Sequence, residues 1–134
     1  MDVLPEWEAG TPAVLCVEGP HAIPVSTAVR AADDRVVFAL ARRRETLERL
    51  RRHGASALCV LGRGVAFTAE GEARVVREAL DASPHVAAVE LQVERVQDHL
   101  VDGRTDMLDG ARWQFRSDDA READAAVREE LARL

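Results

Sequence analysis

The clearest alternation of apolar and polar positions lies at 89–94, where Val89, Leu91 and Val93 interleave with Glu90, Gln92 and Glu94. A period of two sends successive side chains to opposite faces, so this stretch predicts a strand with one face on a core. Upstream, "AVLCV" (13–17), "AIPVSTAV" (22–29) and "VVFALA" (36–41) are short apolar runs, parted by Gly19–Pro20 and by "ADDR" (32–35). Their spacing predicts three antiparallel strands in a tight meander. Pro24 cannot donate to a ladder, so the second strand belongs at an edge or enters irregularly. "ASALCVL" (55–61) is almost continuously apolar and predicts a strand buried on both faces or closing a barrel. "GRG" (62–64) is a turn, and "VAFTAEGEARVV" (65–76) is a strand with a bulge or bend at Gly71.

A period near 3.6 takes over at two places. In Glu45–His53, Leu47 and Leu50 share one face with charges around the rest, and Gly54 follows as a C-cap. Ser117 is an N-cap for a second helix from about 118 to 134, with Ala120, Ala123, Val127, Leu131 and Leu134 as its apolar stripe. Residues 3–9 read as a short helix anchored by Trp7. The sum is a mainly β domain: six antiparallel strands in a small barrel, a short helix after the third strand, and a C-terminal helix. Residues 1–134 suit one domain, with the barrel core at about 10–97.

Charge narrows the function. The net charge is -6, and all 18 basic residues are arginine. Nonspecific nucleic-acid binding needs a basic face, so it is not expected. No apolar run approaches the roughly 18–20 residues that span a bilayer. "MDVLPEWEAG" lacks the basic and apolar regions of a signal peptide, which points to a cytoplasmic protein. Cys16 and Cys59 lie in apolar runs and read as reduced, buried thiols. With no CxxC and four scattered histidines, no metal site is expected.

The unusual stretch is "FALARRRETLERLRRHG" (38–54). Arg42, Arg43 and Arg44 precede a helix N-terminus, where the dipole disfavours positive charge but favours an anion. Either these arginines hold a phosphate, or they form a solvated loop paired with Glu45 or Glu48. Arg49, Arg51 and Arg52 read as a solvated face, and the last two also suit the negative end of the dipole. His99 reads either as a hydrogen-bonding group at a strand end or as a donor near a cofactor edge.

The ordered combination "HAIPVSTAV … VVFALARRRETLERLRRHGASALCVL … VAFTAEGEARVV" resembles the FMN-binding split-barrel superfamily, the pyridoxamine 5'-phosphate oxidase-like proteins. "VQDHL" (96–100) and "ARW" (111–113) look like a compact bacterial branch of it. The resemblance implies a six-stranded split barrel that forms a homodimer, with FMN at the subunit interface. It places Val25, Ser26, Thr27 and Ala28 beside the flavin ring, with Ala39 and Leu40 lining it. Arg30 would help hold the phosphate, which Arg43, Arg44 and Thr46 would clasp. Trp113 either stacks on a ring from the partner subunit or packs in a core or interface.

The chain departs from the family at Ala39–Leu40, where an aromatic–threonine pair is common, and at Arg44–Glu45–Thr46, where serine–arginine–lysine is common. A glutamine of the true oxidase is replaced near Ala66. These departures bear on the substrate more than on the fold. The resemblance implies a flavin-dependent oxidoreductase acting on a small molecule, with no catalytic side chain assigned. A deazaflavin-dependent reductase of the same fold and a nonenzymatic flavin- or haem-binding module are the alternatives.

Overall fold

Every strand finds an antiparallel partner in the computed structural model, which describes residues 2–134. The order is β1 (Ala13–Val17), β2 (His21–Val25), β3 (Val29–Ala32), β4 (Arg35–Ala41), α1 (Glu45–Arg52), β5 (Ala55–Gly62), β6 (Val65–Arg77), β7 (Val86–Asp98) and α2 (Asp118–Ala132). They build one seven-stranded sheet, ordered β2-β1-β5-β6-β7-β4-β3.

The strand count is seven rather than six because the run at 22–29 divides. β2 pairs with β1, Ser26–Ala28 cross over, and β3 pairs with β4. The break is chemical: the Thr27 hydroxyl accepts from the Ala39 amide at 2.9 Å, taking a place that a backbone carbonyl would hold in an unbroken ladder. The hairpins β1–β2 and β3–β4 form, but the expected meander does not, since β2 and β3 are the two edges of the sheet.

β5 alternates instead of being buried on both faces. Ser56, Leu58 and Val60 point inward, while Cys59 is half-buried and Leu61 is 40% exposed on the outer face. At Gly71 the β6–β7 register skips, as the sequence suggested, from Glu70↔Arg95 to Gly71↔Val93. The backbone there runs so close to β7 that a Cβ on Gly71 would strike the Gln92 carbonyl. The C-cap of α1 is His53 rather than the expected Gly54, whose carbonyl instead accepts from Ala73 N at 2.8 Å.

Residues 3–8 take no regular secondary structure and Ala9 begins a turn, so the expected short helix does not form. Leu4 is buried, and its amide donates to Asp33 O at 2.8 Å, so the β3–β4 turn takes the donor. Trp7 is the expected anchor, its ring tilted against Phe67 at 5.5 Å and its Nε1 donating to Ala28 O at 3.3 Å.

The main core fills the barrel around Leu15, Phe38, Leu58, Phe67 and Leu91, and Leu47 and Leu50 of α1 join it. A second core lies outside β4 and β7, where Val37, Leu80 and Ala88 meet Val127 and Leu131 of α2. Only the C-terminal half of the expected α2 stripe is used, because Ala120 and Ala123 are exposed. Ser117 caps α2 as expected, accepting from Ala120 N at 3.1 Å. None of the described helices is long and apolar enough to cross a membrane.

Periodicity misses Glu130. This buried carboxylate on α2 accepts from Ala82 N at 2.7 Å, Asp81 N at 2.9 Å and Arg77 Nη1 at 3.1 Å. The Ala82 amide first, then Asp81, with Arg77 adding, hold its carboxyl below the usual carboxylate range. A lowered folded-state value stabilises the protein above the unfolded Glu value of about 4.3, and that stability is lost as pH falls through the folded value. Glu130→Gln is therefore expected to lower the urea midpoint at neutral pH, with the gap to wild type closing in acid. A gap that is constant across pH would refute the assignment.

Candidate functional site

The candidate residues cluster where the sheet is split, around the link between β2 and β3. Residues 21–28 run from the mouth of α1 to the middle of β4. At one end, His21 Nε2 lies 2.9 Å from Thr46 Oγ1; at the other, Thr27 bonds the backbone of Ala39. The segment 21–28 thus touches both β4, at Ala39, and α1, at Thr46.

At the α1 mouth, Arg44 N donates to Ala41 O at 3.0 Å, turning the chain sharply out of β4. Arg44 is the N-cap residue, and no side chain caps the helix. Arg43 and Arg44 are exposed. Glu45, a neighbour offered as their neutralising partner, is turned elsewhere: it pairs with Arg49 at 3.2 Å and lies 3.5 Å from His21 Nδ1. Arg42 donates to Pro84 O at 3.4 Å. Of the helix arginines expected to be solvated, Arg51 binds Glu78 through two bonds of 3.0 and 2.6 Å, and Arg52 is exposed.

The structure does not gather every candidate. Leu40, Val25 and Ala28 are buried core residues, and of the three only Ala28 also borders a cleft. The Ala28 carbonyl is occupied by Trp7. Ser26 Oγ donates to Asp124 Oδ1 of α2 at 2.6 Å, and Asp124 also binds Arg128 Nε at 3.0 Å. Ala39 is half-buried beside the α2 core.

Arg30 is held by Leu4 O at 3.0 Å and Asp33 Oδ1 at 2.8 Å. It pairs with Val36, five residues before Ala41. At about 3.3 Å per residue, Arg30 is well over 15 Å along the strand from the arginines at the turn. Within one chain these basic groups do not converge.

Trp113 is also remote. β5 leaves α1 at Ala55 and ends at Gly62, beside which a cleft of about 690 Å³ is lined by Trp7, Arg63, Arg112 and Trp113. A second cleft, of about 630 Å³, lies between Trp7, Ala28, Arg30 and the α2 residues Ala125 and Arg128. His99 Nε2 lies 2.8 Å from Thr68 Oγ1, the strand-end hydrogen bond of the two readings. Cys16 and Cys59 are free and half-buried, and burial followed by the nearby Cys59 pushes the Cys16 thiol up.

Sequence reasoning missed His21 and Asp124. Each lies far along the chain from its partner, His21 by 25 residues from Thr46 and Asp124 by 98 from Ser26, so no local pattern announces the contact.

The architecture has known counterparts. A putative pyridoxamine 5'-phosphate oxidase from Lactobacillus delbrueckii superposes with a TM-score of 0.59 at 17% identity, covering 72% of this chain and 95% of that one. The fold is the split barrel. HupZ of Group A Streptococcus matches at 0.58 and 14% identity over 76% of this chain and 90% of its own. An F420 reductase matches at 0.56 and 12% identity over 70% and 98%. No family model and no curated protein matches the sequence. Identities this low establish the split barrel and leave the ligand to be argued from the residues.

Proposed function

We propose that this split barrel binds a flavin, FMN, and acts as a flavin-dependent oxidoreductase on a small molecule. The observation that carries the reading is the uncapped first turn of α1 beside Arg43 and Arg44, with Glu45 committed to Arg49 and His21. Free first-turn amides and two guanidinium groups suit a phosphate, so the donor set fits that end of the cofactor. Arg43 and Arg44 would clasp the phosphate, and the segment from Val25 to Ala28 with Ala39 would place the ring along the split. Bound flavin supplies the electron-transfer chemistry, while this chain binds, orients and limits access.

A homodimer belongs to the same reading. Arg30 and Trp113 lie far from the arginine turn within one chain, so they join the site only from a second copy. The outer face of β1 and β5 offers an apolar surface for it, with Val14 and Leu61 each 40% exposed beside half-buried Cys16 and Cys59. We place the dimer in the cytoplasm, in keeping with the reduced thiols. The likeness to an F420 reductase supports a second reading in which a deazaflavin takes the place of FMN.

Arg43→Ala with Arg44→Ala is expected to weaken FMN binding by about 1.5–3 kcal/mol, roughly 10- to 150-fold. Riboflavin, which lacks the phosphate, should be unaffected. Flavin fluorescence quenching measures both, and unchanged FMN affinity in the double variant would overturn the phosphate assignment.

A further inference from the structure

The cleft of about 630 Å³ between the N-terminal segment, the start of β3 and α2 has the size of a small-molecule site, roughly 300–1,000 Å³. Ala125, Arg128 and Ala132 recur at helical spacing and present one face of α2 to it. Val127 and Leu131 lie on another face and fill the second core, so α2 is held in place without closing the cleft. The two alanines are too short to fill the gap. Trp7, Ala28 and Val29 supply the rest of the apolar wall.

The polar groups along this wall are already engaged. Trp7 Nε1 donates to Ala28 O at 3.3 Å. Arg30 is held by Leu4 O at 3.0 Å and Asp33 Oδ1 at 2.8 Å. Arg128 Nε donates to Asp124 Oδ2 at 3.0 Å, and Ser26 Oγ fixes that carboxylate from its other oxygen at 2.6 Å. Each guanidinium thus has a carboxylate of its own. Glu6 and Glu129 also border the cleft, but both are exposed to water, where an ion pair contributes little. A charged molecule entering here loses hydration and meets no buried group of opposite sign that is free to pair with it. An apolar ring has no such cost.

We propose that this cleft binds a small, flat, uncharged aromatic molecule. Trp7 offers its indole to the ring, and Arg128, whose planar guanidinium Asp124 holds at the wall, offers a second stacking surface. Ala28, Ala125 and Ala132 leave the room. The proposal uses nothing of the arginine turn and is independent of the flavin reading. A bound ring touches the N-terminal segment and α2 at once, so occupancy also stabilises the folded chain.

Calorimetry on the full chain with 2-naphthol as the probe tests this. Saturable binding at a single site is expected, with 2-naphthoate and 2-naphthylmethylammonium each at least about fivefold weaker. Decahydro-2-naphthol, which is puckered and has no ring to stack, should be weaker by about the same factor. No saturable binding overturns the proposal, and so does equal affinity for the charged or saturated analogues. Ala132 is exposed where it borders the cleft, so Ala132→Leu fills space without disturbing the core. It should weaken 2-naphthol at least about tenfold, and Ala125→Leu should do the same. Trp7 also lines the cleft beside Trp113. Binding that survives Ala132→Leu therefore places the probe elsewhere and overturns the site, whether or not Ala125→Leu folds. Saturating 2-naphthol should also raise the urea midpoint of wild type and leave that of Ala132→Leu unmoved. Equal rises in both have the same overturning force.

Discussion

Phe67→Ala is expected to destabilise the protein by about 3–5 kcal/mol, the range for emptying a fully buried aromatic position. Phe67 has no exposed surface and lies in the main core, so little around it can collapse into the space. Its ring is also the seat of Trp7, at 5.5 Å, and Trp7 holds the Ala28 carbonyl. The loss therefore reaches beyond the core: the N-terminal segment loosens, and with it the wall shared by both clefts. Urea unfolding measures the first effect, and Trp7→Phe in the Phe67→Ala background separates it from the second. If the single variant unfolds within about 1 kcal/mol of wild type, Phe67 is not the keystone that its burial indicates.

Gly71→Ala is expected to cost roughly 3 kcal/mol, the upper part of the range for forced overpacking. Most glycine-to-alanine changes in strands gain from reduced chain entropy and better propensity. Here the added carbon meets the Gln92 carbonyl, and the next contact is Val93 Cα at 3.1 Å, both of them backbone. Backbone in the centre of a sheet cannot swing aside as a side chain can, so β6 and β7 must part where the register skips. Faster amide exchange on both sides of Gly71, with a lower urea midpoint, is the expected signature. A midpoint equal to wild type would show that the bulge relaxes freely.

How far the sequence foretells this depends on the range of the interaction. The turn at Asp33–Asp34, the bulge at Gly71, the cap at Ser117 and the start of α1 all show in residues a few positions apart. Each was legible. The division of 22–29 was not, because an apolar run looks the same whether one partner or two receive it. The decision was made by Thr27 meeting Ala39. Likewise Glu130 reads as one more acid on a charged helix until the loop at Asp81–Ala82 folds over it. Of the site, the arginine turn was visible as a charge anomaly. His21 was invisible because its meaning comes wholly from the α1 residues it faces.

The three-residue link Ser26–Ala28 has a bearing on association. It ties together by covalent bonds the two strands that end the sheet. One of these carries Pro24, which removes an amide donor, and the other is only four residues long. Neither makes a good template for an incoming strand. Self-recognition is thereby steered away from edge-to-edge growth, which has no natural stopping point, and toward the outer face of β1 and β5, where a two-fold contact closes after one partner.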